Sequence, residues 1–165
     1  MNNCHCLIAT LVACISLGAC ATRYSPESLG RGATVAEVER ALGRPTGRLA
    51  GPPAERVEYA RGPFGRHTYM LAFDADGKLL SWEQVLTESR FDQLRAGMSR
   101  DELLASVGHP SEVAKLPWQR LTLWSYRYET PFCRWFQVTL DPAGRVVETG
   151  YGPDPLCTGK PSSSQ

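Results

Sequence analysis

The sequence predicts an α+β protein of two tandem ααβββ repeats, with short helices packed on antiparallel sheet. Three observations predict it. Leu29, Gly32, Thr34, Glu37, Val38, Leu42, Gly43 and Pro45 recur at a constant offset as Leu94, Gly97, Ser99, Glu102, Leu103, Val107, Gly108 and Pro110. Each run has the punctuation of a short helix: a hydroxyl N-cap, Glu three residues on, an apolar stripe, then Gly and Pro. Downstream of each run, three segments alternate apolar and polar side chains with the period of a strand.

The chain opens with residues 1–19, which contain no Asp, Glu, Lys or Arg. Leu7 to Leu17 is mostly apolar but shorter than the roughly 20 residues that a bilayer core requires, and reads as a signal-peptide h-region. Leu17-Gly18-Ala19-Cys20 resembles the bacterial lipobox. That resemblance implies cleavage before Cys20 and acylation of its thiol and new amine, each buried methylene adding about 0.8 kcal/mol to anchoring. Ala21 follows where retained Gram-negative lipoproteins carry Asp, which implies an outer-membrane anchor facing the periplasm. Two alternatives stand: Leu11-Val12-Ala13-Cys14 is a second lipobox-like run, and an ordinary signal would release a soluble protein.

Residues 20–28, with Pro26, read as the lipidated tether, 29–87 as the first copy, 88–153 as the second and 154–165 as a tail. In the first copy Thr34 and Glu37 form a capping box, and Val35, Val38, Ala41 and Leu42 form one stripe of about two turns. Gly43 is expected in the left-handed conformation, and Pro45 blocks continuation. Arg44 to Arg56 reads as a loop, followed by strands at Val57 to Arg61, His67 to Phe73 and Lys78 to Val85. Asp74-Ala75-Asp76-Gly77 opens like a calcium loop but lacks the later ligands, so it reads as a hairpin turn.

Thr87 to Leu94 predicts a short helix leading into the second motif. Ser99 and Glu102 repeat the box, and Leu103, Leu104 and Val107 the stripe. Ser111 to Arg120 reads as a loop, before strands at Leu121 to Tyr128, Arg134 to Leu140 and Arg145 to Tyr151. Tyr59 then matches Tyr126, Phe73 Leu140 and Gly77 Gly144, the spacing having grown within the loop.

Cys4, Cys6 and Cys14 leave with the signal and Cys20 is lipidated. Cys133 and Cys157 remain, and an even pair in an oxidising compartment forms a disulfide worth roughly 3 kcal/mol. Eighteen basic residues against 17 acidic provide no field for nucleic-acid binding. The roughly 145 residues after the signal suffice for a workable core.

Gly-Met-Ser-x-x-Glu-Leu-Leu-x-x-Val-Gly-x-Pro, the strand Trp124-Ser125-Tyr126, and Asp141-x-x-Gly144-Arg145-Val146-Val147 together resemble the BamE/SmpA lipoprotein family of Gram-negative outer membranes. The match covers most of the second copy; the first has Gly-Ala-Thr and Val57-Glu58-Tyr59 instead. The resemblance implies a small helix-on-sheet domain on a lipid anchor and a partner in the barrel-assembly machinery or elsewhere in the envelope. This chain departs in carrying two copies. Its architecture is also similar to the secreted β-lactamase-inhibitory proteins, which implies an alternative: a periplasmic binding or inhibitory module.

Strand alternation puts Tyr59, Tyr69, Tyr126, Phe136 and Val138 under the helices. The opposite face then carries Met70, Leu121, Leu123, Trp135 and Gln137, a candidate partner surface. Packing between the two copies is the competing reading for that face. Trp118 is either exposed or an edge plug, and Trp82 has no assigned face. His67 and His109 sit at element boundaries without metal-ligand neighbours and read as turn or strand-end residues. No phosphate cradle, Ser-His-Asp set or paired carboxylates stands out, so neither catalysis nor a cofactor nor a metal is expected.

Overall fold

The computed structural model describes residues 25–49 and 55–158. The signal peptide, Cys20, most of the tether, Gly51-Pro52-Pro53 and the tail beyond Thr158 lie outside the described residues. The class is α+β: two four-stranded antiparallel sheets and a few short helices. In the N-terminal half, a 3-10 turn at Pro26–Ser28 precedes helix α1 (Val35–Leu42). Strands β1 (Gly47–Leu49), β2 (Glu55–Arg61), β3 (His67–Phe73) and β4 (Leu79–Gln84) follow in sheet order. The C-terminal half repeats that order with α2 (Glu88–Phe91), α3 (Arg100–Val107), β5 (Glu112–Leu116), β6 (Leu121–Tyr126), β7 (Arg134–Leu140) and β8 (Val146–Pro153). It ends in α4 (Pro155–Thr158).

The expected ααβββ unit is corrected in two ways, and the described start of the segment after it is folded. Each sheet has a fourth strand, β1 or β5, inside segments expected to be loop. Both are edge strands, and neither has a fully buried residue, so the core-facing apolar positions that mark β2, β3, β6 and β7 are missing. The first helix of the N-terminal half is only a single 3-10 turn. The tail is folded at its start, where Asp154 is buried and α4 carries Cys157.

The recurring motif has a local physical cause. Thr34 and Ser99 each cap a helix, their hydroxyls accepting from Glu37 N (3.2 Å) and Glu102 N (3.3 Å), while each glutamate accepts from the cap N–H at 2.7 Å. Just upstream, Gly32 N donates to Leu79 O and Leu79 N to Ala33 O, both at 2.8 Å. Gly97 N to Val146 O and Val146 N to Met98 O repeat that clip at the same length. Gly32 and Gly97 have φ of +85° and +89°, a region that side chains disfavour, so glycine is required where the chain turns into the clip. The motif thus fastens each helix start to the last hairpin of its own sheet.

The Asp74 and Asp141 turns complete the clip. Asp74 Oδ1 accepts from Asp76 N (3.0 Å) and Lys78 N (2.8 Å), and Asp141 Oδ1 from Arg145 N (2.8 Å). These carboxylates stabilise turns by imitating a backbone acceptor.

Each helix covers its own sheet. Val38 and Leu42 pack on Val57, Tyr59, Tyr69, Leu71, Phe73 and Leu79. Leu103, Leu104 and Val107 pack on Trp124, Tyr126, Phe136, Val138 and Leu140, joined by Phe91, which stacks on Phe136 at 4.1 Å. The five residues expected under the helices are therefore in the two cores. Leu49 of β1 packs against the core of the C-terminal half, so the halves share apolar contact.

Candidate functional site

Met70 and Trp135 do not line an open face. They are only 2% and 7% exposed, so burial withdraws both from the candidate partner surface. Leu121, Leu123 and Gln137 are half-buried, and Gln137 Nε2 donates to Ser125 Oγ at 3.1 Å. The sheet faces turned away from the helices instead carry an unexpected set of buried polar groups.

Glu58 is the most deeply placed of these, at 0% exposure in the middle of β2. Its carboxylate accepts from His109 N at 3.0 Å and meets His109 Nδ1 at 2.5 Å, in the turn just beyond α3. A charge taken from water needs such partners, since an unpaired buried carboxylate is strongly disfavoured. Gly108 makes room for it: a Cβ there would lie 2.9 Å from Glu58 Oε1 and 3.0 Å from Thr68 Cγ2. Tyr126 donates to Gly108 O at 3.2 Å, and burial, then the Glu58 charge, push its hydroxyl well above its usual range, keeping it a donor. The seam between the halves thus joins β2 and β3 to the C-terminal end of α3.

Arg127 closes the seam elsewhere. Its guanidinium lies 4.8 Å from the Trp135 ring and 5.1 Å from the ring of Phe64, which belongs to the N-terminal half. It donates from Nε to Asp154 Oδ2 (2.8 Å) and from Nη2 to Oδ1 (3.1 Å), with Glu112 at 3.6 Å. Burial raises the Asp154 carboxyl, but the hydrogen bonds from Arg127 and from Leu156 N outweigh it, and the net shift is downward. The expected disulfide Cys133–Cys157 is present and brackets this pair, with Asp154 N donating to Cys133 O at 3.2 Å. Disulfide and ion pair together hold Asp154 and α4 on the last sheet.

His67 opens β3, with Nε2 3.8 Å from Glu129. His109 sits in the turn just past α3, the element boundary expected of it, and from there its half-exposed side chain also reaches Glu58 across the seam. Among sequence signals, Glu58 within Val57-Glu58-Tyr59 was the visible one: a charge in mid-strand, where its neighbours are core residues. Arg127 and Asp154 carried none, because their pairing depends on long-range folding.

Among the described residues, a groove of about 640 Å³ opens on the helix side of the second sheet. Val113, Leu121 and Trp124 contribute apolar surface, and Arg100, Lys115 and Arg120 contribute charge. Arg100 lies over the Trp124 ring at 5.4 Å, and Lys115 Nζ donates to Thr122 Oγ1 at 3.3 Å. Beside it, Trp118 at the β5–β6 turn is 98% exposed, which settles its placement as a surface residue. Trp82 packs against the N-terminal core, edge-on to Tyr69 at 5.9 Å.

Comparison with models of known protein families, with curated proteins and with solved structures finds no match. The functional argument therefore rests on the residues themselves.

Proposed function

We propose that the protein is a non-enzymatic, BamE-like lipoprotein of the outer membrane, held by lipid on Cys20 and facing the periplasm. In this reading its halves are tandem copies of one helix-on-sheet unit, and it acts through protein–protein contacts in outer-membrane protein assembly or envelope integrity. The observation that carries the reading is the pairing of two features. Leu17-Gly18-Ala19-Cys20 is lipobox-like, and the Gly-x-Ser/Thr-x-x-Glu to Gly-x-Pro motif downstream occurs twice. Support comes also from what the motif residues do: caps, clips and turns build a scaffold in each half.

The test is in cells. Cys20→Ala should move the protein out of the membrane fraction, and crosslinking should recover barrel-assembly components with the lipidated chain. Recovery of none of them would end the assembly role. A second reading, a binding or inhibitory module for another envelope protein, is favoured by the cationic groove beside β5. The two differ in partner and agree in the kind of contact.

A further inference from the structure

The charges of the groove are not common to both halves. In the N-terminal half the equivalent position on the edge strand is Arg48, opposite Val57 as Val113 is opposite Trp124. Arg48 is saturated, at 2.7 Å from Glu55 and 3.4 Å from Glu39. Helix and strand registers place Leu104 where Glu39 stands and Thr122 where Glu55 stands. Both acids have therefore been exchanged for neutral residues. Among the described residues, Arg100, Lys115 and Arg120 make no ion pair. The acidic group in the lining, Asp141, already accepts from Arg145 N within its turn.

We infer that this groove and the adjoining edge of β5 dock an extended acidic segment of a partner protein, added as a further strand beside β5. Charge complementarity selects the acid: three cations without carboxylate partners beside apolar surface attract carboxylates interleaved with aliphatic side chains. Edge position selects the extended form. Among the described residues β5 pairs on one side only, with β6, which leaves its other edge to an incoming strand. Side chains from alternate positions of that strand would lie over Val113 and Lys115, which share the groove face. Lys115 on an edge strand also discourages indiscriminate pairing, and an acidic partner turns that barrier into a contact.

The inference rests on the reading that the protein works through protein contacts, and it is tested separately from the cellular experiment. The full lipidated chain in neutral-detergent micelles is titrated with a fluorescent peptide alternating Glu and Val, and binding is followed by anisotropy. Hydrogen exchange of residues 112–116 is measured with and without peptide. Expected are saturable binding, slowed exchange in β5, and about tenfold weaker binding for Lys115→Ala with Arg120→Ala. Both side chains are exposed, so the double variant keeps its unfolding midpoint. The inference is overturned if the acidic peptide does not bind, if a Lys-Val peptide binds equally, or if β5 exchange is unchanged. It is also overturned if phosphatidylserine doped into the micelles displaces the peptide and itself slows exchange in β5, which would make the groove a lipid site. Any of these outcomes leaves the recovery of barrel-assembly components in cells as an independent result.

Discussion

Gly43 and Gly108 occupy the same position past their helices and nearly the same conformation, φ/ψ of 79°/−165° and 76°/−166°. The ψ is extended, so the expected left-handed helical conformation is corrected to a region that only glycine visits freely. Alanine there costs about 1–3 kcal/mol at either site. Their surroundings differ. A Cβ on Gly43 would meet Arg61 Nη2 at 3.9 Å, an ordinary contact with a flexible side chain. On Gly108 it would sit 2.9 Å from Glu58 Oε1, 3.0 Å from Glu58 Cδ and 3.0 Å from Thr68 Cγ2. Glu58 cannot swing aside without leaving His109 and entering solvent-free space. Overpacking adds about 1–3 kcal/mol.

Gly43→Ala should therefore lower stability by about 1–3 kcal/mol and Gly108→Ala by about 2–6 kcal/mol. The difference between them isolates the seam, because the backbone term is shared. Urea unfolding of wild type and both variants, with unchanged slopes, measures it. Equal losses, within about 0.5 kcal/mol, would refute the close packing of Glu58 and Thr68 on the α3 terminus.

Three other outcomes follow from the same geometry. Asp154→Asn leaves the Arg127 guanidinium buried with only Glu112 nearby, and should cost about 3 kcal/mol, the lower end of the range for a broken buried pair. Because the folded Asp154 carboxyl lies below its ordinary 3.8, its contribution is complete above that pH and is lost as pH falls through the folded value. Urea midpoints against pH should thus fall more gently on the acid side in the variant than in wild type. Replacing Cys133 and Cys157 with Ser opens a loop of sequence separation 24 and should cost about 3.5 kcal/mol, with reductant lowering the melting temperature of wild type alone. Ser99→Ala should cost about 1 kcal/mol by loss of the cap, measured in urea. Glu102 is held below its ordinary 4.5 by hydrogen bonds from the Ser99 backbone and hydroxyl, so that cost should shrink as pH drops below 4.5.

What the sequence made legible was local. Capping boxes, apolar stripes, stop glycines and hairpin turns each depend on residues a few positions apart, and they placed α1, α3 and six strands within a few residues. Tyr59, Tyr69, Tyr126, Phe136 and Val138 could be assigned to the core because period-two alternation constrains a whole strand at once. The edge strands β1 and β5 failed that route: one is three residues long, and neither has a fully buried residue. Met70 and Trp135 failed for another reason. Alternation says which face of a sheet a residue occupies, but not whether a second sheet, a turn or solvent covers that face.

That distinction decides where function can sit. Two halves built alike would be expected to expose like surfaces, yet they differ at the positions that meet one another or face outward. Glu58 in the N-terminal half corresponds to Ser125, so only one half sends a charge into the seam. Tyr59 corresponds to Tyr126, yet only the latter hydroxyl caps a helix end; in the N-terminal half Arg61 reaches Leu42 O and Arg44 O, both at 2.6 Å, and does that work instead. Glu39 and Glu55 neutralise Arg48, whereas Leu104 and Thr122 stand at the matching positions beside the groove, whose Arg100, Lys115 and Arg120 make no ion pair among the described residues. The caps, clips and turns match between halves, while the buried polar groups of the seam and the charges beside β5 do not. At the seam each unmatched residue has a structural partner in its own fold, whereas the unpaired cations of the β5 groove have no ion-pair partner among the described residues, which is why the inferred docking strand is placed there.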